Sequence, residues 1–256
     1  MATFILLFKI AVPPFLVTLM SLAARRFGPT VAGLILGLPW MTGPILFFLA
    51  RDKGLDYAVE TSTGVELGVL GIAAYAMAWA LVARVAPWPV AMLLAATAFL
   101  GSAYLTRALT LPLWLAAAFG LSSLLAVYAL MPRARGAVVP HALPWWDLPA
   151  RVAATAVLVA IIMSLADVLG ARLSGISSTY PVILSVVAAF THARDGPDAV
   201  LRLLRALMLS LLGFVAFFVV VGYGIGLLGV PLSFALAAAT CISSSGLLIA
   251  FNRRRR

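Results

Sequence analysis

Apolar runs long enough to cross a bilayer follow one another along this chain almost without interruption, and that excludes most folds. A helix rising 1.5 Å per residue needs about 20 residues to cross a hydrocarbon layer about 30 Å thick. Runs of that length cover roughly 5–24, 29–50, 58–83, 88–106, 109–131, 149–168, 173–192, 205–228 and 231–251. Backbone polar groups have no water to bond in lipid, so lipid-facing runs this long must pair their own backbone as helices. The chain is 64% hydrophobic and 10% charged, against about 25% charged in soluble domains, which leaves no room for a soluble domain. The expectation is an all-α polytopic membrane protein with about nine transmembrane helices.

Charge then sets orientation. A net charge of +10 would point to nucleic acid if it formed a basic face on a soluble domain. Here the arginines sit in short links between apolar runs, so no nucleic-acid partner is expected. Nine spans place Arg25, Arg26, Arg84, Arg133, Arg135, Arg151, Arg194, Arg202, Arg205 and the four tail arginines on one side. Arg51, Lys53, Arg107 and Arg172 fall on the other, and Lys9 is left unassigned. Cytoplasmic loops carry the excess of Lys and Arg, so the C-terminus is expected in the cytoplasm and the N-terminus outside. The expected location is a bacterial-type inner membrane. The first apolar run is followed by Arg25-Arg26 and not preceded by positive charge, the flank order of a retained anchor. Trp145-Trp146, in the longest link, read as an interfacial belt.

A repeat organises the runs. Displacing the sequence by 142 positions superposes Gly28 on Gly170, Gly33 on Gly175, Pro39 on Pro181, Gly54 on Gly196 and Pro89 on Pro231. Glycine and proline matches carry weight because these residues fix backbone geometry. The repeat covers spans one to four and six to nine, so the second copy enters from the opposite face. The expected architecture is a 4+1+4 inverted-topology repeat. Residues 1–107 form the first unit, 108–148 a connecting helix and interfacial loop, and 149–256 the second unit.

The second half also resembles the small four-span inner-membrane proteins of the GlpM type. The likeness lies in Ser174-Gly175-Ile-Ser-Ser-Thr-Tyr-Pro181, followed by His192, Gly196 and Ala199. The first half has Gly33, Pro39, Gly54 and Ala58 in the same pattern, with Ala50 at the His192 position. The resemblance implies a fused pair of units and a link to exopolysaccharide production. It supplies no substrate.

Pro39 and Pro181 fall near the middle of spans two and seven, where each removes a backbone donor and should kink or unwind its helix. Broken helices at matching places in two halves point to a transport site, against the alternative of plain packing kinks. The expected liners are Pro39, Trp40, Thr42, Gly43, Ser177, Ser178, Thr179, Tyr180 and Pro181. Glu66, roughly 12 Å into span three at 1.5 Å per residue, is expected to be a proton-coupling or cation-binding carboxylate, or else a structural ion pair. Ser62 and Thr63 are expected on its face, and Gly64 with Gly68 as a close-packing strip. Lys9 is either its partner or a snorkelling interfacial residue.

Cys241 is the single cysteine, and His141 and His192 have no ligand-spaced partner, so no metal or cofactor is expected. No nucleophile–base pair can be assembled either, so an enzyme is not expected. The function expected is an integral membrane transporter or permease for a small or lipid-linked solute, working at the midplane between helices two and seven. The alternative is a non-transporting scaffold or accessory subunit linked to envelope polysaccharide production.

Overall fold

The computed structural model describes residues 2–136, 144–161 and 180–254; over 2–11 and 248–254 it describes the backbone alone. Every regular element among these residues is an α-helix: α1 (Ala2–Phe27), α2 (Pro29–Leu36), α3 (Thr42–Lys53), α4 (Leu55–Val82), α5 (Trp88–Thr106), α6 (Leu113–Leu130), α7 (147–161), α8 (Val182–Asp195) and α9 (Pro197–Arg254). Among the described residues four helical stretches are long and apolar enough to cross a membrane: α4, α5, α6 and residues Pro197–Leu247 of α9. The described residues are thus all-helical in their regular structure, with helices fit to span a membrane.

Several helices meet without a loop. Gly28 joins α1 to α2 at φ 85, Gly54 joins α3 to α4 at φ 92, and Gly196 joins α8 to α9 at φ 81. A fourth corner, Gly229 at φ 72, divides α9 into two arms. Their ψ values lie near 170–180°, a region open in practice only to glycine. One residue therefore turns the chain where an ordinary connection would use several.

The interruption between α2 and α3 has a different cause. Proline at 39 carries no N–H and its ring collides with the carbonyl four residues back, that of Ile35. The helix stops at Leu36, and the freed Ile35 carbonyl accepts bonds from the Leu38 N–H at 3.2 Å and the Trp40 indole at 2.8 Å. Helix resumes at Thr42, with Gly43 N–H bonded to the Pro39 carbonyl at 3.0 Å. The break is stable because its orphan acceptor is satisfied locally.

The core forms around α4 and the first arm of α9. Leu203, Leu204, Leu207, Leu211, Val215 and Phe218 of α9 are buried, as are Val69, Tyr75, Ala76 and Trp79 of α4. Gly33 lets α2 lie directly on α9, since a Cβ there would fall 2.2 Å from the Leu203 carbonyl oxygen. α5 turns Leu93, Leu94, Leu100 and Leu105 outward, an apolar face suited to lipid chains.

Candidate functional site

The two faces of α4 do different work. One face carries Ser62, Glu66, Val69, Ala73 and Ala76, all buried against the bundle. Glu66 is fully buried, and neither carboxylate oxygen has a hydrogen-bond partner among the described residues. Gly120 of α6 makes room for it: a Cβ there would lie 3.3 Å from Glu66 Oε2. Val215 of α9 closes the same slot. A carboxylate without a partner in apolar surroundings calls for a proton or a cation to neutralise it.

The other face of α4 lines a cavity of about 760 Å³ shared with α5 and the segment that leads into α6. Asp56, Glu60 and Thr63 stand along one wall, with Thr106 and Arg107 opposite and Phe99 deeper. Gly64 and Gly68 also line it, and a Cβ added at either would meet nothing within 4 Å, so they are not the close-packing strip expected of them. Thr63 faces the cavity rather than sharing the Glu66 face. Both departures have one reason: the cavity lies beside Thr63, Gly64 and Gly68, whereas at Gly71 an added Cβ would meet the Phe99 ring at 2.9 Å.

Beyond Phe99 lies a buried polar group. Tyr180 packs edge-on against Phe99 with ring centroids 5.5 Å apart and against Tyr75 at 6.0 Å. Tyr75 donates its hydroxyl proton to Ser185 Oγ at 2.9 Å, and Ser185 in turn reaches the Tyr180 hydroxyl at 3.1 Å and the Pro181 carbonyl at 3.0 Å. One helical turn further along α4, the Trp79 indole donates to His192 Nδ1 at 3.2 Å. An indole N–H only donates, so His192 must carry its own ring proton on Nε2.

Just past the far end of α4, side chains tie the chain to α9. Arg84 donates to Asp198 Oδ1 at 2.8 Å and to the Arg133 carbonyl at 2.7 Å, while the Gly136 N–H reaches Asp198 Oδ2 at 2.7 Å. Arg202 holds the Gly136 carbonyl and Arg205 the Met131 carbonyl, so residues 131–136 are strapped onto the first turns of α9. The Arg84 bond, followed by the Gly136 N–H, holds the Asp198 carboxyl below its usual range. Beside this strap, fully buried Asp147 receives Arg25 at 3.0 Å, Arg151 at 2.9 Å and Arg194 at 2.8 Å.

The residues expected to line a site divide as follows. Pro39, Trp40, Thr42 and Gly43 form the α2–α3 break, with Gly43 against the Phe217 ring and Trp40 partly exposed. Tyr180 and Pro181 lead into α8 beside Tyr75 and Phe99. Ser177, Ser178 and Thr179 lie outside the described residues. Lys9 belongs to α1, and its side chain lies outside the described residues. Ser244 bonds back to the Cys241 carbonyl at 2.8 Å, and Ser245 Oγ lies 3.5 Å from Ser210 Oγ on the other arm of α9. Tyr75, Trp79, Phe99 and Ser185 did not stand out in the sequence; the one available signal was a pair of aromatic residues four apart, at 75 and 79, on an otherwise small-residue helix.

Comparison with family models, with curated proteins and with solved structures finds no match to this chain.

Proposed function

We propose that the chain is a secondary transporter or permease that works by alternating access, with the α4–α5 cavity as its open vestibule. The observation that carries this reading is the contrast between the two ends of α4. From Asp56 to Gly71 the cavity follows the helix for about 22 Å at 1.5 Å per residue. At the opposite end the Arg84–Asp198 pair and the strap over 131–136 close the molecule. Under the arginine bias, the open end faces outside and the strapped end faces the cytoplasm. The substrate path runs from the cavity past Phe99 to Tyr180, Ser185 and Tyr75. Glu66, on the opposite face of the same helix, supplies proton or cation coupling.

The nine-span, 4+1+4 inverted repeat belongs to the same proposal. In its favour, α4 starts at Leu55 and α9 at Pro197, 142 positions apart, each directly after a glycine corner of matching φ and ψ. The Gly43–Phe217 contact and the Ser185–Tyr75 bond exchange the same two positions between halves. Gly71 against Phe99 has its counterpart in Gly213 beside the Cys241 carbonyl. Asp56 and Asp198 are also equivalent under this shift, one beside an open cavity and the other in a closed latch. Two copies of one unit in opposite states is what rocking between access states requires.

The test is solute flux in proteoliposomes across a screen of small and lipid-linked solutes, with and without a proton gradient. Gradient-driven flux that Glu66→Gln uncouples bears the proposal out. Folded, reconstituted protein that moves no solute leaves the scaffold reading in its place.

A further inference from the structure

We propose that the arginine cluster around Asp147 binds the phosphate of an anionic phospholipid. This rests on the chain lying in a membrane and not on its transporting anything. Arg25 comes from the last turn of α1, Arg151 from α7 and Arg194 from the last turn of α8, so three helices deliver a guanidinium to one carboxylate. A guanidinium carries five N–H donors and a carboxylate accepts at about four lone-pair sites. Asp147 therefore leaves this cluster rich in donors. Asp195 adds a second negative charge facing Arg151, which still makes three cations against two anions.

The surplus is directed outward. Arg151 is buried and packs its guanidinium 4.8 Å from the Phe190 ring centroid, whereas the Arg25 and Arg194 side chains keep 31% and 18% of their surface open. Arg26 adds a further cation in the same last turn of α1. The depth is that of a headgroup. Arg194 lies 4.6 Å over the Trp146 ring, and the neighbouring Trp145 is 87% exposed, so two amphipathic rings mark the membrane boundary beside the cluster. A planar guanidinium pair at that level matches the oxygens of a phosphodiester, and a soluble anion would have no use for the flanking tryptophans. Occupancy would tie α1, α7 and α8 to the anionic leaflet next to the strap that closes this end.

Native mass spectrometry of the full chain in detergent, titrated with dimyristoylphosphatidylglycerol or dimyristoylphosphatidylcholine, tests this directly. The expected result is one phosphatidylglycerol retained per chain in preference to phosphatidylcholine. Retention should weaken roughly tenfold or more in Arg25→Gln/Arg194→Gln and stay unchanged in Arg133→Gln/Arg135→Gln. If the glutamine pair does not fold, Arg25→Lys/Arg194→Lys keeps the charge while losing the planar fork, and should show a smaller loss. Equal retention of both lipids by the wild type overturns the proposal, as does undiminished retention by the glutamine pair, which would make the cluster a helix clasp alone. Inorganic phosphate raising the unfolding temperature as much as phosphatidylglycerol does, with no lipid retained, also overturns it in favour of a soluble anion.

Discussion

Glu66 and the Tyr75–Ser185 pair illustrate opposite uses of a buried polar group. The Tyr75 hydroxyl donates to Ser185 Oγ, which also reaches the Tyr180 hydroxyl and the Pro181 carbonyl, so removing Ser185 takes the acceptor from Tyr75. We expect Ser185→Ala to cost about 1–3 kcal/mol, the usual penalty for an orphaned buried group, with Tyr75→Phe/Ser185→Ala costing less than the sum of the singles. Strict additivity in a denaturation double-mutant cycle would mean that the bond contributes nothing. Glu66 has no such partner among the described residues, so replacing it should relieve the fold. If Glu66 has the proposed coupling role, Glu66→Met is expected to raise the unfolding temperature in detergent while abolishing gradient dependence of flux, because a site kept for function is held at the expense of stability. A fall in unfolding temperature would reveal a partner for the carboxylate and point to a structural ion pair.

At the level of helices, the corner glycines are the clearest structural commitment. Ala at position 54 or 196 would have to adopt φ near 92 or 81 with ψ near 180°, and each substitution should cost about 1–3 kcal/mol by thermal denaturation. Near-zero cost at either position would show that the corner can turn another way. These corners were legible in the sequence, since Gly54 and Gly196 are matched residues that sit between charge-bearing helix ends. The Pro39 break was legible as well, because proline's missing donor acts locally. What could not be read was which way each helix faces. α4 is apolar or small over most of its circumference, so the Glu66 side and the cavity side carry no contrast that periodicity detects. For that reason the sequence alone puts Thr63 on the Glu66 face and Gly64 with Gly68 in a packing strip. The Tyr75–Ser185 and Trp79–His192 contacts join residues more than a hundred positions apart, and no local spacing signals them.

For the molecule as a whole, the two ends of α4 set the expected behaviour. If the cavity is the proposed vestibule, filling it should block it without disturbing the fold, since a Cβ added at Gly68 meets nothing within 4 Å. Gly68→Leu is expected to lower flux at least tenfold at unchanged unfolding temperature; unchanged flux would move the path away from this cavity. The closed end should respond to acid. Asp198's carboxyl lies below its unfolded value, so its contribution is fully present above the ordinary carboxylate range and is lost as pH falls through the folded value. Below that point residues 131–136 should exchange amide hydrogens faster, and Asp198→Asn should do the same at neutral pH. Protection that is independent of pH and of this substitution would mean that Arg202 and Arg205 hold the strap unaided. The glycine corners bear on the proposed alternation of access too. With a single residue between α3 and α4, and between α8 and α9, there is little slack to absorb a tilt, so in such an alternation each pair is expected to act as a crank, one arm dragging the other. Lengthening either corner with a short flexible insert would let the arms swing separately, leaving both ends of the molecule intact but deaf to each other.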